Sequence, residues 1–213
     1  MNRPARRSSI ELDPARIAAA ALAVADAHGV SGFTMRAVAG ALGVTPMALY
    51  HHVEDKAALA RLLVDAAIGE RTLPPPTGVW QDDLWTIARW VRDARAAHPA
   101  VAQIRRAYGV WTGASLEMTE RWLGHWRQSG LTHDKALMAA TTSSLAIVGI
   151  VEEESAFRDL ARPADDALSQ LPSARQMFEA RHNREAEFEL LVRALIDGLY
   201  ARLSAEDRAT PRD

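Results

Sequence analysis

Apolar residues recur along this chain at helical spacing almost throughout, and no stretch alternates with the period of two that a half-buried strand requires. Three segments in the first fifty residues open in the same way. Asp13 stands before Pro14, Thr34 before Met35 and Thr45 before Pro46, so each start has a side-chain oxygen able to accept from the free N–H groups of a first helical turn. Two of them place proline at the first helical position, where its missing N–H costs nothing. An apolar pair brackets each start: Leu12 with Ile17, Phe33 with Val38, and Val44 with Leu49. The pattern predicts helices over 14–28, stopped by Gly29, over 35–42, stopped by Gly43, and from Pro46 to near Val53. The second and third are too short to persist in water alone, so they must pack on the first and on each other. Ala39 permits close approach, Gly43 can take the left-handed turn, and Val38, Leu42, Val44 and Leu49 supply an interior. This is the plan of a helix-turn-helix.

Beyond it, a fourth helix is expected from about Asp55 to Glu70, ahead of the proline-rich break Thr72-Leu73-Pro74-Pro75-Pro76-Thr77-Gly78. The break places a boundary near residue 70, giving an N-terminal domain over 12–70 and a second over 71–204. Trp80, Leu84, Ile87, Val91 and Ala94 mark one apolar helical face, and Trp111, Met118, Trp122 and Trp126 are assigned to a following helix. A loop is expected between Phe157 and Ser173. The helix from about Thr132 to Ala156 carries Leu137, Ser144 and Val151 interleaved with Thr141, Val148 and Ser155, and the last offers Phe188, Leu191, Leu195, Leu199 and Leu203. Paired across a two-fold axis these stripes would form a four-helix interface of a homodimer, although burial inside one subunit accounts for the same spacing. The expected fold is all-α.

The 213 residues contain no cysteine, which excludes disulfide scaffolds, thiolate metal sites and cysteine nucleophiles. The longest weakly polar run, Leu137 to Val151, is 15 residues long and is expected to be too short to cross a bilayer. Glu11, Asp13, Pro14 and Arg16 interrupt any export signal, so a cytoplasmic protein without membrane contact is expected. With 25 basic and 27 acidic residues the net charge is near zero, but no acid lies between Asp26 and Glu54. A surface free of carboxylates approaches phosphates without repulsion.

That gap contains the third helix. With Leu49 and Val53 inward, its other face carries Thr45, Met47, Ala48, Tyr50, His51 and His52: hydroxyls, imidazoles, a phenol and small apolar groups suited to a major groove. Arg36 and Lys56 flank it as phosphate clamps, and the N-termini of the second and fourth helices add backbone N–H groups. Arg3, Arg6 and Arg7 form a basic arm able to add phosphate or minor-groove contact. An ordinary helical hairpin with a polar outer face has the same spacing. His51 and His52 do not make a metal pair, since adjacent helical residues point apart.

The segment Phe33-Thr34-Met35-Arg36-Ala37-Val38-Ala39, then Leu42 through Val53, and Lys56, resembles the signature of the tetracycline-repressor family over roughly residues 12–70. The resemblance implies an all-helical homodimer, usually a repressor released from double-stranded operator DNA by a small molecule. It also implies that Thr34, Arg36, Tyr50, His52 and Lys56 position phosphates while Thr45, Pro46, Met47 and Ala48 face bases. Leu73-Pro74 before Trp80-Gln81, and Val148-Gly149-Ile150-Val151-Glu152-Glu153, are similar to the tetracycline repressors proper. The two histidines with which that subgroup holds drug and metal would fall near Gly69 and Arg105, so the resemblance does not extend to its tetracycline–magnesium ligand. No metal and no cofactor is expected.

The tryptophans and methionines of the C-terminal part suit either plain core or a mostly apolar effector cavity. For the cavity the candidate lining is Ile87, Val91, Trp111, Met118, Trp122, Trp126, Thr141, Leu145 and Glu152, with His125 and Thr142 as further polar groups. Glu152-Glu153-Glu154 is expected to cap a solvated helix end. Enzyme readings are weak: there is no Gly-x-Ser-x-Gly elbow, phosphate-binding glycine loop or His-Glu-x-x-His helix. A small helical enzyme, or a DNA-binding protein without effector, would share the N-terminal features. The fourth helix, starting at Lys56 and ending near the tryptophans, is expected to be the one element touching both sites.

Overall fold

The computed structural model describes residues 12–158 and 160–209; Arg3, Arg6 and Arg7 lie outside them. The described residues form helices joined by turns and contain no strand. In chain order the helices are α1 (Pro14–Gly32), α2 (Met35–Leu42), α3 (Pro46–Tyr50), α4 (Lys56–Gly69), α5 (Trp80–Ala97), α6 (Pro99–Ala107), α7 (Gly113–Gln128), α8 (His133–Arg158), α9 (Asp165–Leu168), α10 (Pro172–Glu179) and α11 (Arg184–Ala209). The described residues fall into two compact units, one of 12–72 with 97–117, the other of 73–96 with 118–158 and 160–209.

In the N-terminal unit α1 packs on α2, α4 and α6. Ile17, Ala21, Ala25, Phe33, Val38, Leu49, Leu59 and Leu63 form a closed core of which at most 1 % of any side chain is exposed. Gly29, with φ 63° and ψ −166°, breaks the α-helical run of α1 at the expected stop, and a further turn follows it. Residues 97–117, which the sequence assigns to the C-terminal domain, fold back here: Ala100, Ile104 and Val110 complete the same core. Trp111 therefore lies in the turn before α7, 61 % exposed, and not on a helix with Trp122. Periodicity could not reveal this, because an apolar face does not say which core receives it.

His98, the residue before α6, ties three elements together. Its Nδ1 lies 2.8 Å from Asp26 Oδ2 of α1, and its Nε2 lies 2.8 Å from Glu70 Oε2 at the end of α4.

The C-terminal unit is built around Leu84, Ile87, Trp122, Trp126, Ala136, Ala139, Ile147, Phe188, Val192 and Ile196. α8 and α11 pack on each other. Arg92 of α5 pairs with Glu154 of α8 and, at 2.7 Å, with Glu185 of α11, its guanidinium lying 4.6 Å from the Phe188 ring centroid. Arg95 binds Glu152 at 2.9 Å. Glu152 and Glu154 thus clamp α5, so the triplet is not simply a solvated cap, although Glu153 is exposed. Val151, Phe188 and Leu203 of the expected interface stripes are buried inside the chain. The outward apolar residues are Leu137, Met138 and Leu145 on α8 and Leu190 and Leu191 on α11. The stretch His133–Glu154 is long and apolar enough, by length and composition, to cross a membrane, and 33 % of it is buried. The shorter count from Leu137 to Val151 missed this, since a helix tolerates the flanking charges.

Partial burial disfavours the charged form of His98, but the hydrogen bonds and charges of Glu70 and Asp26 outweigh it and raise its pKa above 6.5. The stabilisation is therefore complete below pH 6.5 and fades as pH rises through the higher folded-state value. His98→Ala should lower the melting temperature most near pH 6 and progressively less toward pH 9. A pH-independent difference in thermal unfolding would contradict this linkage.

Candidate nucleic-acid interface

The starts of α1, α2, α3 and α4 are each capped as the residue types require. Asp13 accepts from the Arg16 N–H at 2.7 Å, Thr34 from Ala37 at 3.1 Å, Thr45 from Ala48 at 3.2 Å and Asp55 from Ala58 at 2.6 Å. Gly43 closes α2 at φ 70°, a left-handed conformation a side chain would disfavour, and its N–H reaches the carbonyls of Ala39 and Gly40. The chain then needs only Val44 before the Thr45 cap of α3.

α3 has five residues, fewer than expected. After Tyr50 the helix loosens into a turn in which the His52 and Val53 N–H groups both reach the Leu49 carbonyl, at 2.9 and 3.0 Å. Val53, 2 % exposed, is drawn into the core, which ends the helix and aims the chain at the Asp55 cap. Leu49, with no exposed surface, anchors the inner side.

The outer side is as expected. Thr45, Pro46, His51 and His52 are exposed, Ala48 is partly covered, and Met47 and Tyr50 are 67 % and 48 % exposed. Thr34 and Arg36 are exposed at the start of α2. The Thr34 and Thr45 hydroxyl oxygens accept from the Ala37 and Ala48 N–H groups, leaving each hydroxyl proton to donate to a phosphate or base acceptor. Lys56, the first residue of α4, is half-buried. Its ammonium lies 5.6 and 5.1 Å from the ring centroids of Phe33 and Tyr108. Sequence reasoning missed Tyr108, because nothing local indicates that α6 returns to the first core.

The candidate effector residues do not line one space. Ile87, Trp122 and Trp126 are core, with Val91 and Met118 packed against them. The Trp122 indole donates to the Ala140 carbonyl and the Trp126 indole to Ser143 Oγ, both at 3.0 Å. Thr141, Thr142 and Leu145 face outward on α8, Thr141 bonding the Leu137 carbonyl, while Glu152 is held by Arg95 and Trp111 belongs to the other unit. His125 is buried 3.6 Å from Asp83, too far for a hydrogen bond. Asp83 itself receives the Thr77 N–H and hydroxyl at 2.6 and 2.8 Å and the Gly78 N–H at 3.3 Å. Burial raises its pKa, but these donors and His125 outweigh burial and hold the carboxyl below its ordinary value. A cavity of about 700 Å³ lies elsewhere in the unit, walled by Ile150 and Glu154 of α8, Met177 and Phe178 of α10, and Phe188 and Leu191 of α11. Among the described residues, no group of three or more His, Asp or Glu side chains is arranged to hold a metal ion.

A glycine-turned pair of short helices carried on a three-helix core, followed by a larger helical unit, defines a helix-turn-helix DNA-binding regulator. The comparisons with known proteins name its family. The description "Bacterial regulatory proteins, tetR family" matches residues 17–63, and "Tetracyclin repressor-like, C-terminal domain" matches residues 74–203. The chain belongs to the tetracycline-repressor family and is a DNA-binding transcriptional regulator with a ligand-binding domain. It is 31 % identical over 201 residues to the class A tetracycline repressor of transposon 1721 from Escherichia coli, covering 90 % of this chain and 92 % of that one. The structure of BioQ with its natural double-stranded DNA operator superposes with a TM-score of 0.68 at 25 % identity, covering 90 % of this chain and 99 % of the other. A TetR variant from Acinetobacter baumannii AYE in complex with minocycline superposes at 0.66 with 27 % identity, covering 91 % and 98 %.

The seat of α3 depends on one side chain. Leu49→Ala should destabilise the protein by about 2–5 kcal/mol in urea unfolding, the range for emptying a closed apolar site. Met47→Ala, at an exposed position, should stay within about 0.5 kcal/mol of the parent. Equal effects of the two would mean that α3 is not held by its inner face.

Proposed function

We propose that this protein is a homodimeric repressor that binds double-stranded operator DNA through α3 and is released by a small-molecule effector. The observation that carries the reading is the outer face of α3. Met47, Tyr50, His51 and His52 point away from a core closed by Leu49 and Val53, in a segment with no carboxylate between Asp26 and Glu54. Thr34, Arg36, Tyr50, His52 and Lys56 take the phosphates, and Thr45, Pro46, Met47 and Ala48 face the bases. The BioQ–operator complex supports the DNA partner, and the Acinetobacter baumannii TetR–minocycline complex supports an effector.

Dimerisation follows from what α8 and α11 leave uncovered. Leu145 and Leu190 are 74 % and 71 % exposed, and small residues (Gly149, Ala194, Gly198) share these outward faces. A second copy would cover this apolar surface and set the two recognition helices about 34–36 Å apart, one helical turn of DNA. It also accounts for the apolar length of α8 without a membrane.

The effector binds the C-terminal unit, whose cavity of about 700 Å³ falls within the usual range for small molecules. Neither Gly69, without a side chain, nor Arg105, a cation, can ligate a magnesium chelate, so an effector other than metal-bound tetracycline is proposed. A ligand preferring a conformer poorly matched to operator would weaken binding by its differential affinity, about 1–3 kcal/mol or roughly 5–150-fold. α4 is not the sole route for such coupling: the chain passes between the units at residues 72, 96 and 117, so α6 is tied by sequence to α5 and α7 while packing on α1 and α4.

Two outcomes test the reading, measured by mobility shift and fluorescence anisotropy on the DNA flanking the protein's own coding region. Tyr50→Ala and Lys56→Ala should weaken binding to all sequence variants alike, whereas Met47 and Ala48 substitutions should change which variant binds best; uniform loss from the latter would contradict base readout. Leu145→Glu combined with Leu190→Glu should sediment as a monomer and bind the full site at least tenfold more weakly. A dimer in the double variant would place the interface elsewhere.

A further inference from the structure

Lys56 is assigned above to a phosphate, yet its ammonium sits in a corner made by two aromatic rings. Phe33, wholly buried, is the residue before the Thr34 cap of α2, and Tyr108 closes the C-terminus of α6. The rings meet edge to face, with centroids 6.1 Å apart and planes at 64°. Lys56 Nζ is 5.6 Å from one centroid and 5.1 Å from the other, both inside the ~6 Å reach of a cation–π contact. Three elements that are distant in sequence, the entry to α2, the first residue of α4 and the end of α6, thus converge on one ammonium.

We propose that Tyr108 is a positioning residue for DNA binding: with Phe33 it seats the Lys56 ammonium at the start of α4, so that the charge meets a DNA phosphate already ordered. An exposed lysine must give up considerable rotamer freedom to hold one contact. Two ring faces take that cost in the free protein, where it no longer opposes association. The rings offer no acidic acceptor, so they orient the ammonium without neutralising it. Its N–H groups on the side away from the rings remain to donate. Tyr108 itself touches no DNA. The proposal rests on the assignment of Lys56 to a phosphate, and the experiment separates the two.

The probe is a fluorescent pool of mixed-sequence 30-base-pair duplexes, bound by the full chain at 25–200 mM KCl, because phosphate contacts do not depend on sequence. Lys56→Gln should weaken binding and flatten the slope of log affinity against log salt by about one charge. Tyr108→Leu should lower affinity roughly three- to tenfold and shift the slope toward that of Lys56→Gln. Tyr108→Phe, which keeps the ring face, should restore both. The Lys56→Gln, Tyr108→Leu double variant should bind no more weakly than Lys56→Gln alone. Should Tyr108→Leu fold poorly, pentafluorophenylalanine at position 108 keeps the shape while reversing the ring's electrostatics, and should lower affinity in the same way. Affinity and slope unchanged in Tyr108→Leu or the fluorinated protein, with Lys56→Gln impaired, would overturn the seat alone. Additive losses in the double variant would also overturn it. An unchanged slope in Lys56→Gln would overturn the phosphate assignment and the seat with it.

Discussion

A five-residue helix does not survive in water, and α3 exists because Leu49 is wholly enclosed by its neighbours. The N-terminal unit depends on that enclosure. Gly43 turns the chain tightly enough for α2 and α3 to share one core, and Val53 ends α3 by being drawn into it. Everything left outside is then available to DNA. Because the inner side is fixed by packing and the helix starts by Thr34 and Thr45, the exposed Met47, Tyr50, His51 and His52 take no part in holding α3 in place.

The same core reaches further along the chain than the helix-turn-helix. α6 supplies Ala100 and Ile104 to it, His98 bridges α1 and α4, and Tyr108 delivers an aromatic face to Lys56. The face proposed to meet DNA is thus buttressed by a segment that lies between α5 and α7 in sequence, and α6 is continuous with both through the chain itself. In that unit the polar groups are largely consumed in holding helices together. Arg92 joins α5 to α8 and α11, and Asp83 organises Thr77 and Gly78 ahead of α5. Trp122 and Trp126 are accordingly interior residues whose indoles donate to α8, and an open volume lies toward α10 and the start of α11.

Local chemistry by itself determined the all-helical fold, the three capped starts, the stop at Gly29, the turn at Gly43, and which residues of α3 face outward. Each of these follows from groups a few residues apart: a cap oxygen and the N–H three positions on, a glycine and its own φ, an apolar residue and its turn. Tertiary structure alone decided that 97–117 joins the first core, that Glu152 and Glu154 clamp α5, that Trp122 and Trp126 are interior, and that Leu145 is exposed while Val151 and Phe188 are not. In those cases the residue types allow several partners at nearly equal local cost. The choice among them is made by which apolar faces exclude water together and which buried charges find one another, and both are properties of the assembled chain.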